Sequence, residues 1–157
     1  MKYLKFYKLF ENFHIEDFIN ELKEVSEMYL AYLLDDDNIK VSVYTYEDSC
    51  VAIEVHTDNH QNIKWIDVKD HLIPFIEILN KKYKLVPAFG PYNLEDFDPI
   101  KNNLAARATK VKLDDDQIVL LWDLNYESTP FTIEELKSHP IEEISGISIY
   151  VKYNNEI

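Results

Sequence analysis

The chain has 157 residues, of which 29 are acidic and 16 basic, so its formal net charge is −13. This length and an apolar content of 46% predict one folded domain over residues 1–157 and exclude intrinsic disorder. Cys50 is the only cysteine, which excludes an intramolecular disulfide and a cysteine-based zinc site. Gly90 and Gly146 are the only glycines and are too widely separated for a glycine-rich nucleotide-binding loop.

The first two predicted elements are a strand over Lys2 to Phe10 and a long amphipathic helix that starts at Ile15. Lysine alternates imperfectly with aromatic and aliphatic residues in the first segment, which indicates a period of two. In the second segment, apolar residues recur at spacings of three and four over about 20 residues. The predicted buried stripe of the helix consists of Ile15, Phe18, Ile19, Leu22, Val25, Tyr29, Tyr32 and Leu33. Its predicted exposed face carries Lys23 and the acids Glu16, Asp17, Glu21, Glu24 and Glu27.

A β-hairpin and a second helix are predicted next. Lys40 to Tyr46 and Cys50 to His56 alternate with period two on both sides of a short polar turn, which predicts the hairpin. Ile63 to Val68 fits either a third strand or the start of the following helix. That helix is predicted to run from a cap at Asp70 to about Tyr83, with Pro74 in its first turn.

The middle of the chain is predicted to contain a short strand, a loop and a second hairpin. Leu85 to Phe89 is an apolar strand, and Tyr92 to Asn103 has a loop-like composition. Ala106 to Leu113 and Ile118 to Leu124 flank an acidic turn, which predicts that these two strands pair with each other.

The last predicted elements are a short helix and a strand. Thr132 and Glu135 form a capping-box pattern at the start of the helix, and Ile147 to Tyr153 alternates as a strand. The hairpins imply antiparallel pairing. The predicted fold class is therefore α+β, a single domain with a mostly antiparallel sheet of hairpins on which two longer helices and one short helix pack.

Acidic residues are concentrated in blocks, and this concentration is the main functional signal. Residues 11–60 contain 13 acids and 2 bases, a charge of −11. An aspartate triplet after the first helix opposes the helix dipole, and a second triplet occupies the predicted hairpin tip. Tyrosines beside such clusters are typical anchors of a protein interface. The predicted partner-binding residues are Glu24, Glu27, Asp35, Asp36, Asp37, Tyr44, Tyr46, Glu47, Asp48, Asp114, Asp115 and Asp116.

Small, acidic, tyrosine-bearing α+β domains are typical of bacterial immunity proteins that neutralise nuclease toxins, an analogy that depends on no motif. The leading hypothesis is a bacterial inhibitor or antitoxin that covers the basic active site of a toxin by occlusion and charge complementarity. It is not expected to be an enzyme or to hold a cofactor or metal. Without a signal-peptide pattern or a long apolar run, we expect it to be cytoplasmic with no membrane partner.

Four alternatives remain open at this stage. In the first, the acidic loops serve solubility alone. In the second, the chain is a phage-encoded DNA mimic that inhibits a host nuclease or defence complex. In the third, it is a small hydrolase or metal-dependent enzyme that uses His56, His60 or Cys50, and in the fourth it is a structural subunit of an assembly. Direct nucleic-acid binding is not expected, because the net charge is negative and Arg107 is the only arginine.

Overall fold

The computed structural model describes residues 2–35, 38–46, 50–57, 61–87, 116–122 and 128–153, with the backbone alone for residues 2–14. These residues form three helices, an antiparallel six-stranded sheet and a small two-stranded sheet, which confirms the predicted α+β class. In chain order the elements are α1 (Lys2–Leu34), β1 (Ile39–Tyr46), β2 (Cys50–Thr57), β3 (Ile63–Lys64), α2 (Trp65–Lys82), β4 (Leu85–Val86), β5 (Val119–Trp122), β6 (Ser128–Phe131), α3 (Ile133–Ser138), β7 (Glu143–Ile144) and β8 (Gly146–Lys152).

The first helix starts much earlier than its predicted boundary. Because α1 begins at Lys2, the strand predicted over Lys2 to Phe10 is wrong. Aromatic residues at positions 3, 6, 7, 10 and 13 have helical spacing, and no glycine or proline occurs in residues 1–34. The helical period therefore continues from this segment into the apolar stripe that follows, and it outweighs the imperfect alternation with lysine.

The apolar stripe of α1 packs on β1. Leu22 and Leu30 are fully buried, and each contributes about 1.5–3 kcal/mol of hydrophobic free energy. Ser26 lies in the same buried stripe, where its hydroxyl donates a hydrogen bond to the carbonyl oxygen of Leu22 at 2.7 Å. This bond satisfies the hydroxyl, so the stripe tolerates one polar residue.

The main sheet has the strand order β1-β2-β8-β5-β6, with β4 paired to β8 beyond the end of β5. β1 and β2 pair in register over their whole length, which confirms the first predicted hairpin. One face of the sheet packs under the helices and includes Val43 of β1, Ile53 of β2 and Ile149 of β8. The opposite face, which we call the tyrosine face, includes Ser42, Tyr44, Tyr46, Ala52, Glu54, His56, Leu120, Trp122, Ser148 and Tyr150.

The second predicted hairpin is wrong in its pairing. β5 is bonded on one edge to β8 and on the other to β6, so no edge is left for residues 106–113, which themselves lie outside the described residues. The sequence pattern missed β6 because Pro130 interrupts it. Proline is tolerated at the edge of a sheet, and β6 is a terminal strand of the order.

The second helix also starts earlier than predicted. Ile63 and Lys64 form a two-residue strand with β7, and α2 begins at Trp65 with no side-chain cap, so the predicted cap at Asp70 is wrong. Trp65 is buried and extends the apolar stripe of the helix by a turn. Pro74 consequently lies inside the helix instead of in its first turn.

The short helix α3 has the capping box expected from its sequence. The Glu135 backbone N–H donates to Thr132 Oγ1 at 3.0 Å, and the Thr132 N–H donates to Glu135 Oε1 at 3.2 Å. Two N–H groups of the helix start are thereby satisfied, which positions the buried Leu136 against the core.

Replacing Thr132 with alanine should lower the free energy of unfolding by about 1 kcal/mol, because it leaves the Glu135 N–H without its acceptor. Urea denaturation followed by circular dichroism measures this loss. Ser138→Ala, on the exposed side of the same helix, is the matched control and should change stability by less than about 0.5 kcal/mol. Equal losses in the two variants would show that the capping box contributes nothing.

Candidate functional site

Two ring contacts fix how α1 and α2 lie against each other. Near the C-terminus of α1, the Tyr32 ring stacks on His71 of α2, with centroids 5.0 Å apart and planes at 14°. Towards the other end, Phe18 of α1 meets Tyr83, just after α2, edge-on at 5.7 Å. The helices therefore run antiparallel, and the C-terminal part of α1 lies beside the first turns of α2.

Large apolar side chains are exposed at this junction. Met28 is 64% and Tyr32 76% exposed, and Tyr29 between them is 41% exposed. These residues and the surrounding acids define a surface that we call the helical patch. Its members are Met28, Tyr29, Tyr32, Glu24, Glu27, Asp35 and Asp67.

The rim of the helical patch is strongly negative. Residues 15–35 contain six acids and one lysine, and all seven of these side chains are exposed. Glu24 and Glu27 precede the apolar residues of α1, and Asp35 follows them. An apolar centre with a charged rim is the usual anatomy of a protein–protein interface.

The sequence pattern misplaced two residues of the helical patch and missed two others. Tyr29 and Tyr32 were predicted to be buried, but Leu30 and Leu33 occupy the core positions of this turn and leave both tyrosines exposed. Met28 and Asp67 were not predicted to take part, and neither was the contact of Tyr32 with His71. The signal for Met28 was its position between acids on the polar side of the helix, whereas the His71 contact depends on tertiary packing.

The structure does not bring the predicted partner-binding residues into one surface. Glu24, Glu27 and Asp35 belong to the helical patch, whereas Tyr44 and Tyr46 lie on the tyrosine face, on the opposite side of the sheet from the helices. The remaining predicted residues of this surface, apart from Asp116, lie outside the described residues: Asp36, Asp37, Glu47, Asp48, Asp114 and Asp115.

Asp116 lies at a third location, near the C-terminal end of α2. It lines a cavity of about 540 Å³ between α2, β4, α3 and the residues just before β5. The cavity wall consists of Glu77, Asn80, Lys81, Leu85, Asp116, Ile118, Thr132, Ile133 and Glu134. Lys137 forms ion pairs with Glu77 at 3.5 Å and with Glu134 at 3.7 Å. Two of the three carboxylates in this wall therefore already have a cation beside them.

On the tyrosine face, Tyr44 and Glu54 form a cross-strand pair. The Tyr44 hydroxyl donates to Glu54 Oε1 at 2.5 Å. Burial, and then the hydrogen bond and negative charge of Glu54, raise the pKa of Tyr44 well above its usual range. The native protein therefore holds this phenolic proton more tightly than the unfolded chain.

The free energy of unfolding should fall as pH rises above about 10, the ordinary tyrosine pKa. Below that pH both states are protonated and the stabilisation is complete; above it, the unfolded chain ionises first and is favoured. Burial and the charge of Glu21 raise the pKa of Tyr83 to about 12, which adds to the same trend. Urea denaturation between pH 8 and 11.5 measures the slope, which should be shallower for Tyr44→Phe and for Tyr83→Phe. If both variants show the same slope as the wild type, these two tyrosines do not cause the loss of stability at high pH.

A serine–histidine pair lies on the same face. His56 Nδ1 is 3.1 Å from the Thr57 carbonyl oxygen, which can only accept, and Nε2 is 3.1 Å from Ser42 Oγ. In the neutral imidazole, Nδ1 therefore carries the proton, and the Ser42 hydroxyl donates to Nε2. Cys50 begins the strand that holds His56, six residues and about 20 Å away, so the two cannot form a nucleophile–base pair.

Within the described ranges, no group of three or more histidine, cysteine, aspartate or glutamate side chains is arranged to hold a metal ion; His60 lies outside them. In the same ranges, each helix is too short or too polar to cross a lipid bilayer. Comparisons with protein-family models, curated proteins and solved structures gave no match to this chain.

Proposed function

We propose that the protein is a binding module that docks through the helical patch on a cationic surface of a partner protein and blocks it. We further propose that it is a cytoplasmic immunity protein, with a nuclease-like toxin as the partner. The observation that carries the proposal is that Met28 and Tyr32 are exposed among acids although both belong to a well-packed helix. Folding gains little from exposed apolar side chains, whereas an interface gains most from them.

The three components of the helical patch have different energetic roles. The acids accelerate association by long-range attraction, which salt weakens. Met28 and Tyr32 supply the apolar surface area that is removed from water on binding. The stack of Tyr32 on His71 holds the ring in place before binding, which reduces the conformational entropy lost in the complex.

The helical patch favours a toxin partner over imitation of DNA. Duplex DNA presents a phosphate on each strand about every 3.4 Å along its axis. On α1 no acid occurs between Glu27 and Asp35, an axial gap of about 12 Å. Met28, Tyr29 and Tyr32 fill this gap, so the row of charges is interrupted by apolar surface.

Photo-crosslinking in the cells that produce the protein tests the docking site. Tyr32→p-benzoylphenylalanine should crosslink a protein with a basic surface, whereas Asn80→p-benzoylphenylalanine, at the far end of α2, should not. The captured protein should hydrolyse nucleic acid, and one equivalent of this chain should inhibit that hydrolysis. The same crosslinks from both positions would overturn the docking site, and a partner without hydrolytic activity would overturn the toxin assignment.

Matched charge variants test the electrostatic part. Glu24→Gln, Glu27→Gln and Asp35→Asn together should slow association with the captured partner about tenfold at low salt and flatten its salt dependence. Asp116→Asn, Glu134→Gln and Glu142→Gln change the net charge equally but lie elsewhere, so they should have a much smaller effect. Equal effects would show that only total charge matters.

A second candidate is an acyl-transfer enzyme, favoured by the Ser42–His56 pair. Ser42 Oγ would attack an ester carbonyl carbon and pass its proton to His56 Nε2, and the leaving alcohol would take up that proton before water hydrolyses the acyl-serine. A fluorophosphonate probe should then label Ser42 in the wild type and in Ser148→Ala, but not in His56→Ala. No labelling of Ser42 would eliminate this candidate.

A further inference from the structure

In the part of the chain that the structure describes, the outer edge of β1 presents unpaired backbone groups. β1 ends the strand order, and within the described residues it pairs with β2 alone. The Thr57 N–H donates to the Ser145 carbonyl beside β8, so odd-numbered residues of β2 direct their N–H groups to β8 and even-numbered ones to β1. Even-numbered residues of β1 are paired with even-numbered residues of β2, so they direct their N–H groups to each other. Val41, Val43 and Thr45 therefore direct their N–H and C=O groups outward.

Within the described ranges, β1 lacks the usual protection of an edge strand. Native edges are shortened, bulged, or protected by proline or by several charges. β1 has eight residues without proline, and its pairing with β2 is continuous. Lys40 is its only charged residue. The segment from Val41 to Tyr46 is thus a long, uncharged template for one more strand.

We propose that an extended, basic segment of the partner adds to the outer edge of β1 as a further strand of the sheet. Main-chain hydrogen bonds to Val41, Val43 and Thr45 would supply affinity independent of the segment's side chains. The proposal takes the cationic nature of this segment from the proposed function. It adds a second contact, on the side of α1 away from α2.

The charges around the edge favour a basic segment. α1 packs directly on β1, and its described side chains carry a net charge of −4. Glu16 and Glu27, with Lys23 between them, lie about 140–180° around the helix axis from Tyr32, the residue that contacts α2. They therefore lie on the flank of α1 that overhangs the edge of β1.

The same charges disfavour a second copy of this chain as the occupant. Pairing two β1 edges around a two-fold axis would bring the overhanging flanks of two α1 helices together. Each molecule carries a net charge of −13, so the approach of two copies would bring like charges together. A basic segment would instead neutralise the negative charge of one copy.

The test uses a ten-residue peptide in which lysine alternates with valine, with binding followed by fluorescence anisotropy. Its control carries N-methyl groups on alternate peptide bonds, which keeps the charge but blocks strand pairing. Thr45→Pro removes one outward N–H without breaking the β1–β2 ladder, and Thr45→Ala keeps that N–H. We expect tenfold weaker binding for the N-methylated peptide and for Thr45→Pro, but not for Thr45→Ala. The unmodified peptide should also slow amide hydrogen exchange at Val41, Val43 and Thr45.

Equal binding of the two peptides, or no difference between Thr45→Pro and Thr45→Ala, would overturn the proposal. A dimer in sedimentation analysis that Thr45→Pro dissociates would overturn it in favour of a second copy. Failure here is distinguishable from failure of the proposed function, because crosslinking from position 32, on the side of α1 that faces α2, does not involve the β1 edge.

Discussion

Replacing Tyr32 with alanine should weaken binding of the captured partner about 30-fold, a loss of about 2 kcal/mol. Tyr32 is the most exposed of the large apolar residues in the helical patch, yet its ring is held against His71. Alanine removes both the contact area of the ring and the ordering of the ring by His71. The effect should lie mainly in the dissociation rate, because short-range contacts act after the partners have met. Surface plasmon resonance at 0.15 M salt measures both rates.

Two matched variants separate the ring from its support. Tyr32→Phe keeps the apolar ring and its stacking, so it should bind within about threefold of the wild type. His71→Ala leaves Tyr32 in place but removes the surface on which it stacks, so we expect an intermediate loss. If Tyr32→Ala binds as well as the wild type while its thermal unfolding is unchanged, the helical patch is not the docking site.

The elements that the sequence predicts correctly are those whose signals are local. The β1–β2 hairpin follows from alternation on both sides of a turn, and the start of α3 follows from the reciprocal bonds of Thr132 and Glu135. These features depend on residues a few positions apart. The same is true of the C-terminal end of α1 at Leu34, where the sequence and the structure agree.

The errors arise where the pairing or packing is non-local. β5 has no local feature that selects β8 and β6 as its neighbours, and Pro130 obscures β6. The start of α2 depends on burial of Trp65, which the sequence alone cannot distinguish from a strand residue. A period of two and a period of 3.6 are also hard to separate over nine residues, which explains the mistaken strand at the N-terminus.

The candidate site was predictable in charge but not in shape. The acids of α1 are evident from composition and helical spacing, so Glu24, Glu27 and Asp35 were expected to be exposed. The position of Tyr44 relative to them was not predictable, because alternation along β1 shows which residues share a face but not which face the helices cover. Packing of α1 and α2 decides this, and it separates Tyr44 from the acids by the thickness of the sheet.

Replacing Gly146 with alanine should lower the free energy of unfolding by about 2–4 kcal/mol. Gly146 begins β8 between His56 of β2 and Trp122 of β5, and a Cβ atom at this position would overlap the Trp122 ring. The overlapping atoms belong to a rigid indole whose Nε1 donates to Ser148 Oγ at 3.2 Å. The ring therefore has to rotate away and lose this hydrogen bond.

A double-mutant cycle isolates this steric cause. In a Trp122→Ala background the methyl group has room, so adding Gly146→Ala should cost less than about 1 kcal/mol. The coupling free energy between the two positions should thus be at least about 1–2 kcal/mol, measured by urea denaturation of the four proteins. If the cost of Gly146→Ala is the same with and without the indole, the loss comes from the backbone of β8 instead of from the close approach of Trp122.

Because Trp122 also lies 6.3 Å from His56, centroid to centroid, the same rotation of the indole should alter the environment of the His56 imidazole. The His56 ring resonances in NMR spectra should then shift in Gly146→Ala, whereas in Thr132→Ala, whose site lies just before α3, they should not.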